Sequence, residues 1–537
     1  SNSSRRPTTT GKAEAGGSSG PRISTRSAGK EETTGKGTCE CKCLGVFQEL
    51  FDSNVKEFPQ TGEGQGKETT RGSPATQVGH GVGGAEKACP YTGHSECGHL
   101  DSLNPDVASR WKEIVDVLGR NPAEQYVAPP DTDAALLDSL CWHGRKYCEV
   151  RDNTREPELS EFKTVVSRTC QDLGILYSVP DSMDWDTFGN ILQEVDPKKS
   201  PGYPFKAWGI TTNKQILDSS SMLVQLYCMV RQRLDQLAKG RVGGDDINLF
   251  IKREPHKKSK AASKRWRLIS GVGLVDNIVD RFLFGGLLEK VDYLAKRMKI
   301  PILAGWVPWG GGYRALANTI QEPQSCDKSA WDWTMQGWVV QGFQQILRTT
   351  QCNPDWSLAI DARLATLFNT SVFRVGERRF KQNVMGIMKS GFLGTIVFNS
   401  IGQMLIHHLS LLRGNGKRLP YFVVGDDMVT EKQTSAYWSA VETSGCALKE
   451  YQVNPGYPTE FMGVKFSENV ILPAYPDKNM FSLLIKDPET LKEALRCYQL
   501  LYSHHPLRNV VADLAKAYEV QLPGNEISSW VEGWECA

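Results

Sequence analysis

The stretch Tyr421–Thr430, YFVVGDDMVT, sets two adjacent carboxylates on a tight turn between two apolar, β-branched runs. Val423, Val424, Met428 and Val429 have the composition of buried strand, and Gly425 supplies the φ freedom a short loop needs. The segment therefore predicts a hairpin with acid at its tip. Two like charges side by side repel each other, so Asp426 and Asp427 need a compensating cation, and a divalent metal is the natural partner. By itself the pattern is more often that of ordinary turn chemistry. Other parts of the chain must complete a metal site before that reading holds.

Upstream, Ser325–Trp333 reads SCDKSAWDW. Asp327 and Asp332 stand five apart, which would not align them on one helix face, whereas a strand end leading into a turn aims both at one pocket. Between this segment and the hairpin lies SGFLGTIVFN, Ser390–Asn399, running on into IGQMLIHHLSLL. Ser390 and Gly391 predict a flexible loop entering a helix on which Thr395 and Asn399, four apart, share one face. Helical packing explains the apolar positions 396, 397, 398, 401, 404, 405 and 409, but not Thr395 and Asn399 together.

Phe250–Ile269, FIKREPHKKSKAASKRWRLI, places Lys or Arg at 252, 253, 257, 258, 260, 264, 265 and 267. A charge run is ordinarily a solvated surface. Here strand-like Ile247–Ile251 and Leu268–Ile269 flank it, so it reads as a loop projecting from a sheet and presenting several cations to one polyanion, a triphosphate or a phosphodiester backbone. Gly271–Val291 then predicts an apolar helix.

Over 537 residues the composition is that of a globular protein, neither a fibre nor a disulfide scaffold. No apolar run approaches the ~20 residues that span a bilayer, and the polar amino terminus has no secretory h-region, so a cytosolic location is the default expectation. The 14 cysteines are scattered, several in apolar stretches (Cys170, Cys228, Cys446, Cys497), as reduced core thiols are. A net charge of +2 means that nucleic-acid binding must come from segregated basic patches. Ser1 in place of an initiator Met suggests a processed product or an excised piece.

Residues 1–37 carry almost no large apolar residue and predict disorder, either a linker or an RNA-touching arm. Thr61–Glu86 extends the irregular region, with a short helix expected over Leu44–Phe51. Cys39, Cys41 and Cys43, and then Cys89, His94, Cys97 and His99, supply thiols and imidazoles of the kind zinc prefers, although their spacing matches no closed four-ligand pattern. Ordered sequence begins near Pro105, with helical spacing through VASRWKEIVDVLGR (Val107–Arg120), Ala134–Cys141, Leu159–Leu173 and Ser221–Leu237. KKSPGYPF, Lys198–Phe205, predicts an irregular, exposed loop. Asp487–Val520 predicts two amphipathic helices, the first capped by Asp487 with Pro488 in its first turn and Leu491, Ala494, Leu495, Tyr498 and Leu501 on its buried face.

In chain order, the basic loop, the Asp pair spaced by five, SGxxxTxxxN and GDD resemble the palm motifs of positive-strand RNA virus RNA-dependent RNA polymerases. The likeness is to the sobemovirus and sobemo-like enzymes, through FIKREPHKK…RWRLISGVGLVDNIVDRFLFG (Phe250–Gly285) and TEFMGVKF (Thr459–Phe466), and it covers about half the chain, Asp196–Phe466. One departure is Val424, where many viral polymerases have Tyr. The resemblance implies an α+β right hand with an antiparallel palm sheet. Residues 1–104 would be a largely disordered, low-complexity extension, 105–300 fingers with a nucleotide-channel loop at 252–267, 301–332 palm, 333–385 a fingers–palm connection, 386–470 palm and 471–537 thumb.

The resemblance further implies template-directed RNA synthesis for viral genome replication and transcription. Asp327, Asp426 and Asp427 would hold Mg²⁺, for which Mn²⁺ substitutes, and Lys449 would protonate the departing pyrophosphate. Asp332 and Asn399 would bind the ribose 2′-hydroxyl with support from Ser390 and Thr395, Gly391 would let its loop flex, and Lys252 and Arg267 would bind the triphosphate. Ser200, Pro201 and Gly202 would guide template and primer, and Glu460 and Phe461 would grip the primer strand. Implied partners are single-stranded RNA template, nascent RNA, ribonucleoside triphosphates, and a protein primer or other viral replicase proteins. The expected location is host cytoplasm, in membrane-associated complexes reached through partners. Two alternatives stand beside this reading. A reverse transcriptase typically has an aromatic residue at the position of Asp332, and a catalytically inactive RNA-binding scaffold would not need the full set of aspartates.

Overall fold

In the computed structural model Tyr421–Val424 (β9) and Asp427–Glu431 (β10) pair antiparallel around a two-residue loop, Gly425–Asp426. Gly425 takes φ +61 at the first central position, where a two-residue hairpin favours glycine. The structure describes residues 45–50, 104–451 and 455–533. The predictions for residues 1–37 and 61–86, and both Cys/His clusters, lie outside the described residues.

The free edge of β10 pairs with Pro323–Lys328 (β6), and β6 pairs in turn with Leu448–Tyr451 (β11), giving an antiparallel sheet in the order β11-β6-β10-β9. Side chains alternate across this sheet, as a strand pleat requires. Tyr421, Val423 and Met428 join one core cluster with Ile401 and Leu405. Phe422 and Val429 join another with Leu303, Trp306, Phe461 and Val464. The sheet is thus covered on both faces. Behind it runs the helix Thr395–Arg413, buried at every residue from Val397 to Leu411. Of the apolar positions assigned to its packing, Ile396 alone is exposed, because it lies on the first turn before the helix enters the core.

A second sheet has the order β1-β8-β7-β3-β5, from Phe47–Leu50 (β1), Ile247–Ile251 (β3), Leu268–Gly271 (β5), Val372–Val375 (β7) and Arg378–Gln382 (β8). β3 and β5 pair antiparallel, so the basic segment between them does project from a sheet. It carries a two-residue strand, His256–Lys257 (β4), paired with Tyr126–Val127 (β2), and a short helix, Lys258–Ala262.

β1 corrects the helix expected over Leu44–Phe51. Val46 and Phe47 are buried, and the Phe47 ring meets Trp333 and Phe373 edge-on, while the strand satisfies the outer edge of β8. The pairing partner overrides a weak local helical pattern. The loop at Lys198–Phe205 is a second correction. Pro201, Gly202 and Phe205 are buried, and Pro201 accepts a 2.8 Å hydrogen bond from Leu274 N at the start of the helix Leu274–Ala295. Irregular backbone is buried here because its polar groups find backbone partners.

Thr459–Phe461 (β12), Val464–Phe466 (β13) and Ile471–Pro473 (β14) form a three-stranded meander. After it come helices Pro476–Ile485, Pro488–Leu501, Arg508–Ala517 and Gly524–Glu532. Asp487 caps the second of these, accepting from Thr490 N at 3.0 Å. Leu491 and Leu495 are buried, with Ala494, Tyr498 and Leu501 partly so. Residues 105–126 pack with these helices: Val107, Trp111 and Ile114 share a core with Met480, Leu484 and Leu491, and Tyr126 stacks on Phe481. Their side chains therefore belong to the carboxy-terminal core, where the sequence reading grouped them with 105–300. Among the described residues no helix is long and apolar enough to cross a membrane.

Candidate active site

Register brings the first two carboxylates together, since Asp327 on β6 lies directly opposite Asp427 on β10. Asp426 stands beside them, exposed at the tip of the hairpin. Three carboxylates around one sheet end repel each other, and the cleft also displaces water. Burial first, then the charges of Asp426, Asp327 and Glu460, push Asp427 up to about 7, against a restraining hydrogen bond from the Met462 backbone. Asp426 is raised by the same loss of solvation and by Asp327, while Arg267 and Lys328 pull it the other way.

Lys449 ion-pairs with Asp327 Oδ2 from the neighbouring strand β11. It is a strand residue, and its ammonium is committed to the acidic cluster. Among the described residues no three carboxylate, thiol or imidazole groups converge closely enough to ligate a metal as their side chains stand. The donor set nevertheless suits magnesium in its chemistry, being carboxylate oxygens with surplus negative charge.

After β6 the chain turns through Ala330, at φ +51, into a single helical turn, Trp331–Thr334. This places Asp332 beside the long helix, where Asn399 Nδ2 donates to Asp332 Oδ1 at 2.7 Å. Burial pushes Asp332 up to about 6, the Asn399 bond opposing, with Asp426 adding to the rise and Arg267 subtracting. Asn399 is buried and its Oδ1 has no hydrogen-bond partner. An amide orientation that satisfies the carboxylate leaves this acceptor free.

Ser390 and Gly391, expected as a loop, are tied to β5 by hydrogen bonds to Ser270. Ser390 N donates to Ser270 Oγ and Ser390 Oγ accepts from Ser270 N, both at 2.9 Å, and Gly391 N donates to Ser270 O at 3.0 Å. A Cβ at Gly391 would stand 2.4 Å from Ser270 O, so glycine is needed here for close approach to β5. Thr395 closes the same segment, its hydroxyl donating to Lys389 O and Phe392 O at 2.7 and 2.6 Å.

The basic loop reaches this acid. Arg267 acts electrostatically on both Asp426 and Asp332. Burial pushes Lys260 down to about 8, with Arg265, Lys449, Arg267 and Lys478 adding to the fall, so cations of the loop, of β11 and of the helix Pro476–Ile485 share one space. Glu254 organises them: Lys252, Arg267 and Lys478 lie 3.2, 2.8 and 3.3 Å from its carboxylate. Although its own burial opposes ionisation, these cations hold Glu254 down at about 2.

The remaining predicted residues divide. Glu460 faces the cleft, accepting from the Tyr475 hydroxyl and contributing to the field on Asp427. Phe461 alternates to the other side and is buried against Trp306, so its side chain cannot touch a primer. Ser200 is exposed while Pro201 and Gly202 are buried, so only the outer part of that loop is available to a strand of RNA. Sequence reasoning missed Glu254, Lys478 and Tyr475, and also Lys328, Ser400 and Gln403, polar residues buried beneath the acidic turn. The last two had a signal: they are polar positions inside an otherwise apolar helix.

The sheet thus sets carboxylates opposite one another, within electrostatic reach of a cation of the basic loop. Residues 177–457, just over half of the chain, match the family model for viral RNA-dependent RNA polymerase, and the chain belongs to that family. Such polymerases have the palm, fingers and thumb fold and use divalent metals such as Mg²⁺. The chain is 27% identical over 332 residues to the replicase polyprotein P2AB of Southern cowpea mosaic virus, covering 56% of this chain and 33% of that one. It is 31% identical over 250 residues to replicase polyprotein P2AB of Southern bean mosaic virus, covering 40% of this chain and 24% of that one. With protein P1-P2 of Potato leafroll virus it shares 24% identity over 425 residues, covering 69% of this chain and 40% of that one. The chain thus spans only a quarter to two fifths of the length of these curated relatives.

Proposed function

We propose that this chain carries out template-directed RNA synthesis from ribonucleoside triphosphates, as the polymerase part of a sobemo-like viral replicase. The observation that carries this reading is the cross-strand pair Asp327 and Asp427, with Asp426 at the adjoining tip and the positive charge of Arg267 acting on it. The four-stranded sheet is the palm, the basic loop belongs to the fingers, and the helices after Pro476 form the thumb.

Asp327, Asp426 and Asp427 would hold divalent magnesium, for which Mn²⁺ substitutes; bound there, it supplies acidity at a primer hydroxyl and neutralises the leaving pyrophosphate. Asp332 and Asn399 select ribonucleotides. The Asp332 oxygen not engaged by Asn399 accepts a 2′-hydroxyl, and a deoxyribose leaves that buried group unpaired, which is how a hydrogen-bonding site rejects the poorer substrate. Lys252 and Arg267 orient the triphosphate from a position already fixed by Glu254. Lys449, once released from Asp327, donates a proton to the departing pyrophosphate. Single-stranded template RNA follows Ser200 and the exposed part of its loop, and Glu460 lies toward the primer strand.

The test is incorporation of labelled ribonucleotides on a single-stranded RNA template with Mg²⁺, comparing this chain with Asp426→Asn. Template-dependent product that disappears in the variant is the expected result. A chain that binds RNA yet makes no product, even with a supplied primer and Mn²⁺, overturns the proposal in favour of a binding scaffold.

A further inference from the structure

Under the acidic turn lies a set of buried polar side chains that the nucleotide contacts do not use. Strand alternation sends Asp327 to the cleft and its neighbour Lys328 to the opposite face, where only 3% of it is exposed. Among the described residues its contacts are the Gln403 amide oxygen, Cys326 Sγ at 3.9 Å and the Trp331 ring at 5.8 Å, with no carboxylate. A buried ammonium without a carboxylate in contact is costly to keep, so it depends on the hydrogen bonds it does make.

Gln403 accepts from Lys328 through Oε1 and donates through Nε2 to Gly425 O at 3.0 Å. Three residues earlier on the same face of the helix, Ser400 Oγ accepts from Gly425 N at 2.9 Å. Both backbone polar groups of Gly425 are therefore held by one helix. A two-residue hairpin loop with exposed Asp426 at its tip has few packing contacts of its own to fix it. Lys328 does more than fill space here: with its ammonium bound to Oε1, the Gln403 amide can turn only its NH₂ toward Gly425 O. The ion thus sets the direction of the bond that grips the turn. Asn399, which holds Asp332, immediately precedes Ser400, so one turn of helix positions both the ribose-sensing carboxylate and the metal-binding turn.

We infer that Gln403, oriented by Lys328, and Ser400 form a positioning brace that fixes the Gly425–Asp426 turn for catalysis. This rests on the polymerase reading for its effect on rate, but not for its effect on the turn. Gln403→Glu keeps side-chain size and gives Lys328 an ionised partner, while replacing the donor at Gly425 O with a carboxylate oxygen. Ser400→Ala removes the other contact with the smallest change in volume, and serves if Gln403→Glu fails to fold.

The experiment reads backbone hydrogen exchange across 421–430 and, separately, kcat and KM for the nucleoside triphosphate. Expected are faster exchange in the hairpin, with protection over 395–413 retained, and a kcat lowered by on the order of 100-fold, the loss a misplacement of about 1 Å produces. KM should stay within about 3-fold, because the triphosphate contacts are untouched. Unchanged exchange in a folded variant, or a loss confined to KM, overturns the inference. If the unaltered chain makes no RNA at all, the polymerase reading fails, and the exchange result still decides whether the brace exists.

Discussion

Two charged clusters share the cleft, and they are balanced differently. Around Glu254 three cations converge, Lys252, Arg267 and Lys478, each within 3.3 Å, and the one carboxylate serves all of them. Around the acidic sheet end, among the described residues, three carboxylates have one ammonium in direct contact, Lys449 on Asp327, while Arg267 and Lys328 act on Asp426 only through their charge. The first cluster is held in shape by its own internal partner, and Glu254 remains ionised down to about pH 2. The second carries unmet repulsion, visible in Asp427 being pushed up to about 7. A cation therefore enters the acidic cluster as a missing part, whereas a triphosphate entering the basic cluster must compete with Glu254.

The largest effect that can break this contrast is Asp427→Asn. Removing one of three mutually repelling carboxylates should lower polymerase activity by about 10³-fold or more, several kcal/mol of transition-state charge stabilisation. The same change should raise the melting temperature of the metal-free protein, because it relieves repulsion. Lost activity together with lower stability would mean that Asp427 has a structural partner within the cluster.

Lys449→Met comes next. If Lys449 serves as proton donor, the rate should fall by on the order of 10²-fold, at the low end of general-acid contributions. Loss of the one ammonium beside Asp327 should also shift the Mg²⁺ dependence to lower concentration, since metal and lysine compete for the same carboxylate. A shifted Mg²⁺ dependence at unchanged rate would leave Lys449 a counter-ion only.

Glu254→Gln tests the other cluster. If its organisation matters more than its bare charge, losing the shared carboxylate should raise KM for the triphosphate by about 10-fold, the equivalent of one charge-assisted hydrogen bond. If charge alone governs, KM should fall, because three cations are freed. Steady-state kinetics at two salt concentrations separates the cases, since free surface cations are screened more strongly.

Much of this contrast was legible in the sequence, and the unequal parts have physical reasons. The hairpin, the loop pinned between β3 and β5, and the order of the motifs follow from alternation, turn residues and spacing, all local properties. The pairing of Asp327 with Asp427 is a register, and no local pattern supplies a register between strands about a hundred residues apart in sequence. Phe461 and Glu460 could not be told apart as buried and facing the cleft without knowing which side of β12 meets Trp306. Gly391 was read as flexible because glycine permits motion; its neighbours show that it is there for close contact with Ser270. Lys328 was passed over because its meaning lies in what it touches, whereas Gln403 stood out only as a polar position in an apolar helix.

The smallest effect concerns pH. Asp427 and Asp332 have folded values of about 7 and about 6, above the ordinary 3.8. The folded state then binds more protons than the unfolded one, so these groups make the metal-free protein less stable as pH rises from about 4 through about 7. Buried His143 and His256, both held down at about 4, act in the opposite sense between about 4 and 6.5, since they must be protonated on unfolding. A plain stability profile therefore mixes the two. The difference between melts with and without Mg²⁺ isolates the acidic cluster, because the ion binds ionised carboxylates there and no imidazole. That difference should be near zero at pH 5, reach about 2 °C at pH 8, and shrink in Asp427→Asn. A stabilisation by Mg²⁺ equal at both pH values would place the ion elsewhere, and the acidic cluster would then be balanced from within, as the basic one is.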